Sequence, residues 1–465
     1  MAAKNTKKRK KEIKKMKNNV FMNKRLHNRI LAQDKYINNN TWETGLNNND
    51  LIIGVSGAGK TRSYVIPNIM ESDNSIIVVD TKNQLYKKLE PELKSRGFLI
   101  WNLNLANMRD SAIGYNPLNY IGKEQVMVDG KKVTRYNSQD IEMLAQNICP
   151  LECMKDPFWD YAAAMQASTL IAYILEALPE NEHHLGKVAR LQELLGTDTL
   201  DVLMEEWELL HPESFAVKKW HLFKDTKAAD KTNASAAFIL GEKLSPFSNP
   251  ECEQLFTHKF QVDFKYMGTR PTAFFINVSD SNRANDRLLN LLYAQALHEL
   301  CEFADSQEDG RLPVPVRFIM DDFASNAVIP DFDKIISVIR SREIYVSLIL
   351  QSLTQLDSMY GEQRAKTIIN NCDTCLYLGG QDVNTAKYIS IKANKTADNI
   401  LNMPVGDAWL FVRGQKPQQV TKFRLEQYDL FNPETKNKKA LTQENIDELF
   451  GGDLEEEDFP ILETV

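Results

Sequence analysis

The chain has 465 residues, of which 43% are hydrophobic and 26% are charged, as in an ordinary globular protein rather than a disordered or fibrous one. Its longest apolar runs, at 76–79 and 348–350, are far shorter than the roughly 20 residues that a membrane-spanning helix needs. No apolar segment follows the basic N-terminus, so a secretory signal is not expected either. We therefore predict a cytoplasmic protein with reduced cysteines, no structural metal and two folded units.

The net charge of -7 conceals a strong asymmetry between the two ends of the chain. Residues 1–35 contain thirteen lysines or arginines, whereas residues 441–465 contain nine acids and no base. We predict a basic N-terminal arm over 1–48, suited to nucleic acid or anionic lipid. A linker and acidic tail over 431–465 would suit a basic partner. A purely solvating role for both ends fits the same composition.

Eight short apolar runs alternate with helical patterns in two parts of the chain, 49–125 and 263–430. Because nearly continuous apolar strands separated by helices are typical of a buried parallel sheet, the fold class is predicted to be α/β with a mainly parallel sheet. Helical patterns alone fill 126–262, which predicts an inserted all-α domain. The predicted strands are 51–53, 76–79, 98–101, 273–278, 316–320, 345–350, 375–378 and 408–412.

A phosphate-binding motif directly follows the first predicted strand. Residues 54–61 read GVSGAGKT, which satisfies G-x-x-x-x-G-K-[ST] between a strand and a predicted helix. Glycines let backbone N–H groups turn toward phosphate oxygens, Lys60 reaches the β- and γ-phosphates, and Thr61 offers a hydroxyl to Mg²⁺. The motif therefore predicts binding of ATP and Mg²⁺.

A hydrolysing enzyme of this type also needs a carboxylate at the end of a neighbouring strand. Asp80 ends a strand close to the motif in sequence, as in a small kinase, whereas Asp321 ends a strand far from it, as in a motor with an inserted domain. We favour Asp321 as the Mg²⁺ acid and Asp322 as the group that polarises water. Gln351, at the end of another predicted strand, would point into the same crevice, where it could sense the γ-phosphate or position water.

Two further sets of basic residues are open to more than one interpretation. Arg340 and Arg342 lie in a predicted helix at 333–342, where either could stabilise transition-state charge or be a surface residue. A strip in the helical segment could neutralise a DNA backbone and stack bases, although a solvated helix face is the favoured interpretation. The strip consists of Lys218, Lys219, Trp220, Phe223, Lys224, Lys227 and Lys231.

Taken in order, these residues resemble the TraG/TraD-type coupling proteins of conjugative type IV secretion systems, through most of 49–425. The segments that carry the resemblance are 54–61 with its continuation RSYVIPN at 62–68, DTK at 80–82, YNPL at 115–118, DPFW at 156–159, MDDF at 320–323, IP at 329–330, RSR at 340–342, QS at 351–352, QL at 355–356 and YG at 360–361.

The resemblance implies a RecA-like P-loop NTPase in two parts, 49–125 and 263–430, interrupted by an all-α domain at 126–262. It implies an ATPase that assembles as a homo-hexamer and moves a relaxase-bound single DNA strand toward a type IV secretion channel. Lys60 and Thr61 would be the phosphate-loop pair, Asp321 the Mg²⁺ acid, Gln351 the strand-end glutamine and Arg340 the arginine finger. The nucleotide would contact Gly54, Ser56, Gly57, Ala58, Gly59, Lys60, Thr61 and Arg62.

Two departures from the family pattern bear on these expectations. The acid pair usually ends in Glu, whereas here it ends in the shorter Asp322. Family members usually begin with two membrane-spanning helices, for which this sequence has no apolar run. Membrane docking would then use the basic arm on anionic lipid, or a channel ATPase or membrane subunit at the inner face of the cell membrane. A general DNA-translocating ATPase and a weakly hydrolysing nucleotide-binding scaffold are the alternatives.

Overall fold

The computed structural model describes residues 28–431, except for 82, 129–130, 152–156, 225–229, 280–281, 283 and 324–327. The first 27 residues of the basic arm and the acidic tail from 432 onward thus lie outside the described residues. Among the helices that are described, none is both long enough and apolar enough to span a membrane.

A nine-stranded sheet forms the centre of the molecule, in the order β13-β12-β11-β3-β10-β9-β4-β8-β5. Neighbouring strands run parallel from β11 to β5, whereas β12 and β13 are antiparallel at one edge. All eight predicted strands belong to this sheet. The strands are β1 Asn28–Ala32, β2 Lys35–Asn38, β3 Asp50–Ile53, β4 Ser75–Asp80, β5 Leu99–Asn104, β6 Lys123–Val128, β7 Lys131–Tyr136, β8 Thr272–Asn277, β9 Val316–Met320, β10 Ile344–Leu350, β11 Thr374–Tyr377, β12 Asp407–Val412 and β13 Gln418–Thr421.

The central strands are buried on both faces, because every residue of β3, β4, β8, β9 and β10 is buried. Successive side chains of a strand point to opposite faces. In β4, Ile77 and Val79 therefore pack into one apolar layer, while Ile76 and Val78 pack into the other. Helices cover both faces, as a parallel sheet requires, and the predicted α/β class is confirmed.

The helices surround the sheet and fill the long connection between β5 and β8. Within that connection, α5 is the central helix, with thirteen buried residues, and it packs against α4, α8 and α9. The helices are α1 Thr41–Thr44, α2 Ile66–Glu71, α3 Gln84–Ser95, α4 Ser138–Ile148, α5 Phe158–Ala177, α6 Leu185–Gln192, α7 Asp198–Leu210, α8 Phe215–Lys224, α9 Asp230–Leu244, α10 Pro250–Phe256, α11 Phe264–Met267, α12 Asp286–Asp305, α13 Phe332–Val338, α14 Leu353–Tyr360, α15 Glu362–Asn370, α16 Val383–Ala393 and α17 Ala397–Leu401.

Three features of the sheet structure differ from the sequence-based expectation. The antiparallel pair of β1 and β2 lies within the predicted basic arm, where no strand was expected. An antiparallel hairpin of β6 and β7 opens the helical insertion, so the predicted boundary at 126 falls inside a strand. Its strands, KEQVMV and KKVTRY, are mostly polar and do not carry the apolar signal of a buried strand. The short edge strand β13 was also not predicted, because only Val420 of its four residues is buried.

Candidate nucleotide-binding site

The phosphate loop, residues 54–61, connects the end of β3 to a helical turn over Thr61–Val65 that continues into α2. Gly57 and Gly59 have φ values of 78° and 91°, a conformation that residues with a Cβ rarely adopt. The backbone N–H of Gly54 donates to Leu350 O at 3.0 Å, which ties the loop to β10. Among the described residues, the N–H groups of Ser56, Gly57 and Gly59 have no acceptor. The loop is thus a concave set of unpaired donors next to a helix N-terminus, which is the arrangement that binds phosphate.

Lys60 follows these glycines and is only 9% exposed. Its Nζ donates to the carbonyl oxygen of Gly54 at 2.9 Å and lies 3.8 Å from Asp322 Oδ1. The ammonium group is therefore held over the loop, within reach of any phosphate that the loop binds.

Asp321 lies opposite Thr61, the first residue of the helical turn. The Thr61 hydroxyl is 3.4 Å from Asp321 Oδ2. Only β10 separates β9, which Asp321 follows, from β3, so the carboxyl ends of these strands meet at one edge of the sheet. Burial, and next the charge of Asp322, raise the pKa of the Asp321 carboxyl to about 6. A hydroxyl and a carboxylate at this distance are the hard oxygen ligands that Mg²⁺ prefers, so the two residues fit that ion.

Asp80, the competing acid, has a different environment. It ends β4, which is three strands from β3 in the sheet. Its carboxylate accepts hydrogen bonds from the N–H groups of Gln84 at 3.1 Å and Tyr86 at 2.9 Å. Asp80 therefore stabilises the first turn of α3, and the geometry favours Asp321 for the metal.

Asp322 and Gln351 meet beside Lys60. The Gln351 Nε2 is 3.4 Å from Asp322 Oδ1, the same oxygen that faces Lys60 Nζ. Asp322 adopts a left-handed conformation with φ 51°, which aspartate and asparagine tolerate better than most residues. This carboxylate is thus turned toward the space above the phosphate loop, where it could accept a proton from water.

We expect Asp322→Asn to lower ATP turnover by about 100-fold, because a positioned general base contributes roughly 10²–10⁴ in rate. Nucleotide affinity should change by only a few fold, since asparagine keeps the shape and tolerates the same φ. Steady-state hydrolysis and equilibrium nucleotide binding would measure the two effects separately. Unchanged turnover would exclude Asp322 from water activation.

Arg340 lies at the opposite edge of the sheet. It precedes β10 at Ile344, whereas the phosphate loop is at the carboxyl end of the parallel strand β3. Seven strand residues at about 3.3 Å each separate the two edges by about 20 Å. Arg340 NH2 donates to Thr41 O at 3.3 Å, and no described acid forms an ion pair with it. The arginine therefore cannot reach the phosphate loop of its own chain.

Two other arginines named in the sequence analysis form ion pairs on the surface. Arg342 binds both carboxylate oxygens of Asp305 at 2.8 Å. Arg62, just after the phosphate loop, pairs with Glu426. In the RSR segment, Arg342 thus has an ion-pair partner among the described residues, whereas Arg340 has none.

The basic strip in α8 does not form an open DNA-binding surface in the described residues. Its tryptophan, Trp220, is 1% exposed and cannot stack on a base. The described lysines pair with glutamates, as expected for a solvated helix face. The pairs are Lys218–Glu213, Lys219–Glu142 and Lys224–Glu205. Nothing is described of the side chains of Phe223, Lys227 and Lys231.

A buried polar network below the phosphate loop had no clear sequence signal. Asp50, the first residue of β3, accepts hydrogen bonds from Tyr64 Oη at 2.5 Å, Arg29 Nε at 3.0 Å and Arg317 NH1 at 3.3 Å. Ser347 Oγ is 2.8 Å from the same tyrosine oxygen. Burial raises the pKa of Tyr64, so its phenol stays protonated and can donate. The Asp50 carboxylate thereby links the helix after the loop to β3, β9 and β10. These strands end at the phosphate loop, at Asp321 and at Gln351, respectively.

Comparisons with known proteins agree with this architecture. A model of the family described as Type IV secretory system Conjugative DNA transfer matches residues 2–398. A comparison with curated protein sequences finds no match.

Solved structures of the bacterial conjugative coupling protein TrwB are similar in fold. The unbound monoclinic form of TrwBdeltaN70 has a TM-score of 0.66 and 16% identity, and the match covers 89% of this chain and 92% of that one. TrwB with the ATP analogue ADPNP has a TM-score of 0.62 and 17% identity, covering 82% and 86%. TrwB with ADP and Mg²⁺ gives the same four values. At this identity the similarity establishes the RecA-like fold.

Proposed function

The chain belongs to the type IV secretory system conjugative DNA transfer family, and we propose that it is a coupling ATPase that delivers a relaxase-bound single DNA strand to a secretion channel. One observation carries the proposal: Lys60 and Thr61 of the phosphate loop lie within 4 Å of Asp322 and Asp321, respectively. A nucleotide-dependent motor needs this combination of phosphate donors, metal ligands and a water-activating acid.

ATP is the proposed nucleotide and Mg²⁺ the proposed ion, as in the similar TrwB structures. Thr61 and Asp321 would hold Mg²⁺, which neutralises charge on the β- and γ-phosphates when it is bound. Lys60 exchanges its hydrogen bond with Gly54 O for the phosphates. The unpaired N–H groups of Gly57 and Gly59 bind phosphate oxygens on the other side.

Hydrolysis then depends on the groups around the γ-phosphate. Asp322 accepts a proton from the attacking water, and Gln351 orients that water through its amide. Asp321 must be ionised to act as a metal ligand. Burial raises the pKa of its carboxyl group, whereas the charge of Lys60 lowers it.

The site is incomplete in one chain because the proposed arginine finger, Arg340, lies at the other edge of the sheet. We propose that a neighbouring copy in a ring of six supplies it.

The partners follow from the family and the charged ends of the chain. Relaxase and single-stranded DNA are the proposed cargo. A channel ATPase or membrane subunit is the proposed docking partner. The basic arm could hold the protein at the inner face of the cell membrane, with about 1 kcal/mol per lysine or arginine near anionic lipid. The proposed domains are 1–48, 49–125, 126–262, 263–430 and 431–465, although strand β6 crosses the limit between the second and the third.

The test is ATP hydrolysis by the purified full chain, with and without single-stranded DNA, and with Lys60→Ala as the inactive control. We expect Lys60→Ala to abolish turnover that DNA stimulates in the wild type. A wild type that binds ATP but does not hydrolyse it, and that gains strong turnover in Asp322→Glu, would indicate a nucleotide-binding scaffold. Stimulated turnover without any binding to relaxase or channel components would indicate a general DNA translocase.

A further inference from the structure

A lysine from the far end of the chain reaches the phosphate loop. Lys422 directly follows β13, and its Nζ donates to the carbonyl oxygen of Ala58 at 2.9 Å. The backbone N–H of Lys422 donates to Gly406 O at 2.9 Å, which fixes the residue against the start of β12. The side chain is half-buried, and in the described part of the chain it forms no ion pair, although the charge of Asp407 acts on it from a greater distance. Its side-chain hydrogen bond among the described residues is thus to the phosphate loop.

The position of Ala58 makes this contact relevant to the conformation of the phosphate loop. Ala58 lies between Gly57 and Gly59, whose φ values of 78° and 91° are in the left-handed region. Glycine moves between backbone conformations at low cost, so the peptide planes of this segment can rotate easily. A loop of this kind binds phosphate well only if its N–H groups already point toward the ligand.

The planar trans peptide links the lysine contact to phosphate binding. The Ala58 carbonyl and the Gly59 N–H belong to one peptide plane and point in opposite directions. A hydrogen bond that holds the carbonyl toward Lys422 therefore holds the Gly59 N–H toward the other side. That N–H has no acceptor among the described residues, and it belongs to the donor set of the phosphate loop.

We propose that Lys422 is a positioning residue for nucleotide binding: it holds the Ala58–Gly59 peptide so that the Gly59 N–H points at the bound phosphate. Lys422 acts on the nucleotide through the loop, and its effect is on binding rather than on the chemical step. The inference rests on the proposed function, because it assumes that the loop binds ATP.

The chemistry of the side chain fits this task. Burial lowers the pKa of Lys422, because the protonated amine loses water, and the Ala58 carbonyl replaces part of that hydration. An uncharged side chain of similar length, such as methionine, would fill the same space without donating a hydrogen bond. Arginine would keep both the charge and the donor.

The experiment compares three variants of the full chain: Lys422→Met, Lys422→Arg and the control Lys416→Met. Lys416 is an exposed lysine in the turn between β12 and β13, so its replacement tests for a general loss of charge. The measurements are the Kd for ATP with Mg²⁺, the KM and kcat of hydrolysis, and the melting temperature without nucleotide.

We expect Lys422→Met to raise Kd and KM by roughly tenfold, the loss typical of a hydrogen bond to a charged group, while kcat changes less than threefold. Lys422→Arg should recover most of the affinity, and Lys416→Met should behave as the wild type. The melting temperature without nucleotide should fall by no more than about 2 °C in any of the three variants, because one hydrogen bond shifts the melting temperature of so long a chain only slightly.

Two results would overturn the inference. One is a Lys422→Met protein that binds ATP as tightly as the wild type. The other is an affinity loss that accompanies a larger fall in melting temperature and that Lys422→Arg does not restore, since this would assign Lys422 a role in folding. Failure of the proposed function is a distinct result, because the wild type itself would then show no ATP binding that depends on Lys60.

Discussion

Replacing Arg340 with alanine should lower ATP turnover by about 10³-fold while leaving ATP binding unchanged, because an arginine finger is worth roughly 10³–10⁵ in rate. Arg340 lies at the amino edge of the sheet, about 20 Å from the phosphate loop at the strand spacing of β10. Its loss therefore cannot disturb the loop of its own chain. The rate should fall only because the site of the neighbouring chain loses a positive charge.

Mixing two inactive proteins provides the sharpest measurement. Arg340→Ala retains an intact phosphate loop, and Lys60→Ala retains an intact Arg340, so some interfaces in a mixed ring contain one complete site. We expect the mixture to recover a measurable fraction of wild-type turnover, whereas neither variant does so alone. Arg342→Ala is the matched control, because Arg342 is held by Asp305 and its loss should reduce turnover much less. A mixture that stays inactive would contradict a site shared between chains.

Asp321→Asn should have opposite effects on activity and stability. Turnover should fall by about 10²–10³-fold, because the amide cannot supply the negative charge that holds the metal, an effect worth several kcal/mol. The nucleotide-free protein should become more stable at pH 7, by about 2 kcal/mol. The reason is that the folded protein no longer has to keep a buried carboxylate ionised next to Asp322.

The pH dependence of unfolding tests the second effect. Burial raises the pKa of folded Asp321 to about 6, above the value of about 3.9 for an unfolded aspartate. Between these values the folded state holds a proton that the unfolded state has lost, so the free energy of unfolding falls as the pH rises from about 4 to 6. Asp321→Asn should lack this part of the decrease, whereas the exposed Glu308→Gln should keep it. Identical pH profiles for Asp321→Asn and the wild type would contradict the prediction.

The sheet could be predicted from the sequence because its strands carry a strong local signal. In β4 and β10 every residue is buried and most are apolar, and such runs between helices specify a parallel sheet without any knowledge of distant contacts. The hairpin of β6 and β7 lacked that signal, since its strands mix polar and apolar residues and pair only with each other. Edge strand β13 was missed for a similar reason.

The phosphate loop was equally predictable, because its chemistry lies in eight consecutive residues. The roles proposed for Gly57, Gly59, Lys60 and Thr61 depend on local backbone geometry and on the helix that begins at Thr61. The choice of Asp321 over Asp80 was also available from strand ends and spacing. That choice stays a prediction, and the order of the strands agrees with it, because β9 lies nearer to β3 than β4 does.

The remaining groups could be assigned only from the tertiary structure. The contacts of Lys422 with Ala58, of Arg317 with Asp50 and of Ser347 with Tyr64 join positions that are hundreds of residues apart. The sequence around each of these residues does not indicate its distant partner. A single lysine after a short edge strand, or a single aspartate at the start of a buried strand, is compatible with many folds. The sequence by itself determined the eight apolar strands of the central sheet and the candidate phosphate loop, through apolar runs and motif. The tertiary structure decided which distant side chains hold that loop in place, because only the order and register of the strands bring them together.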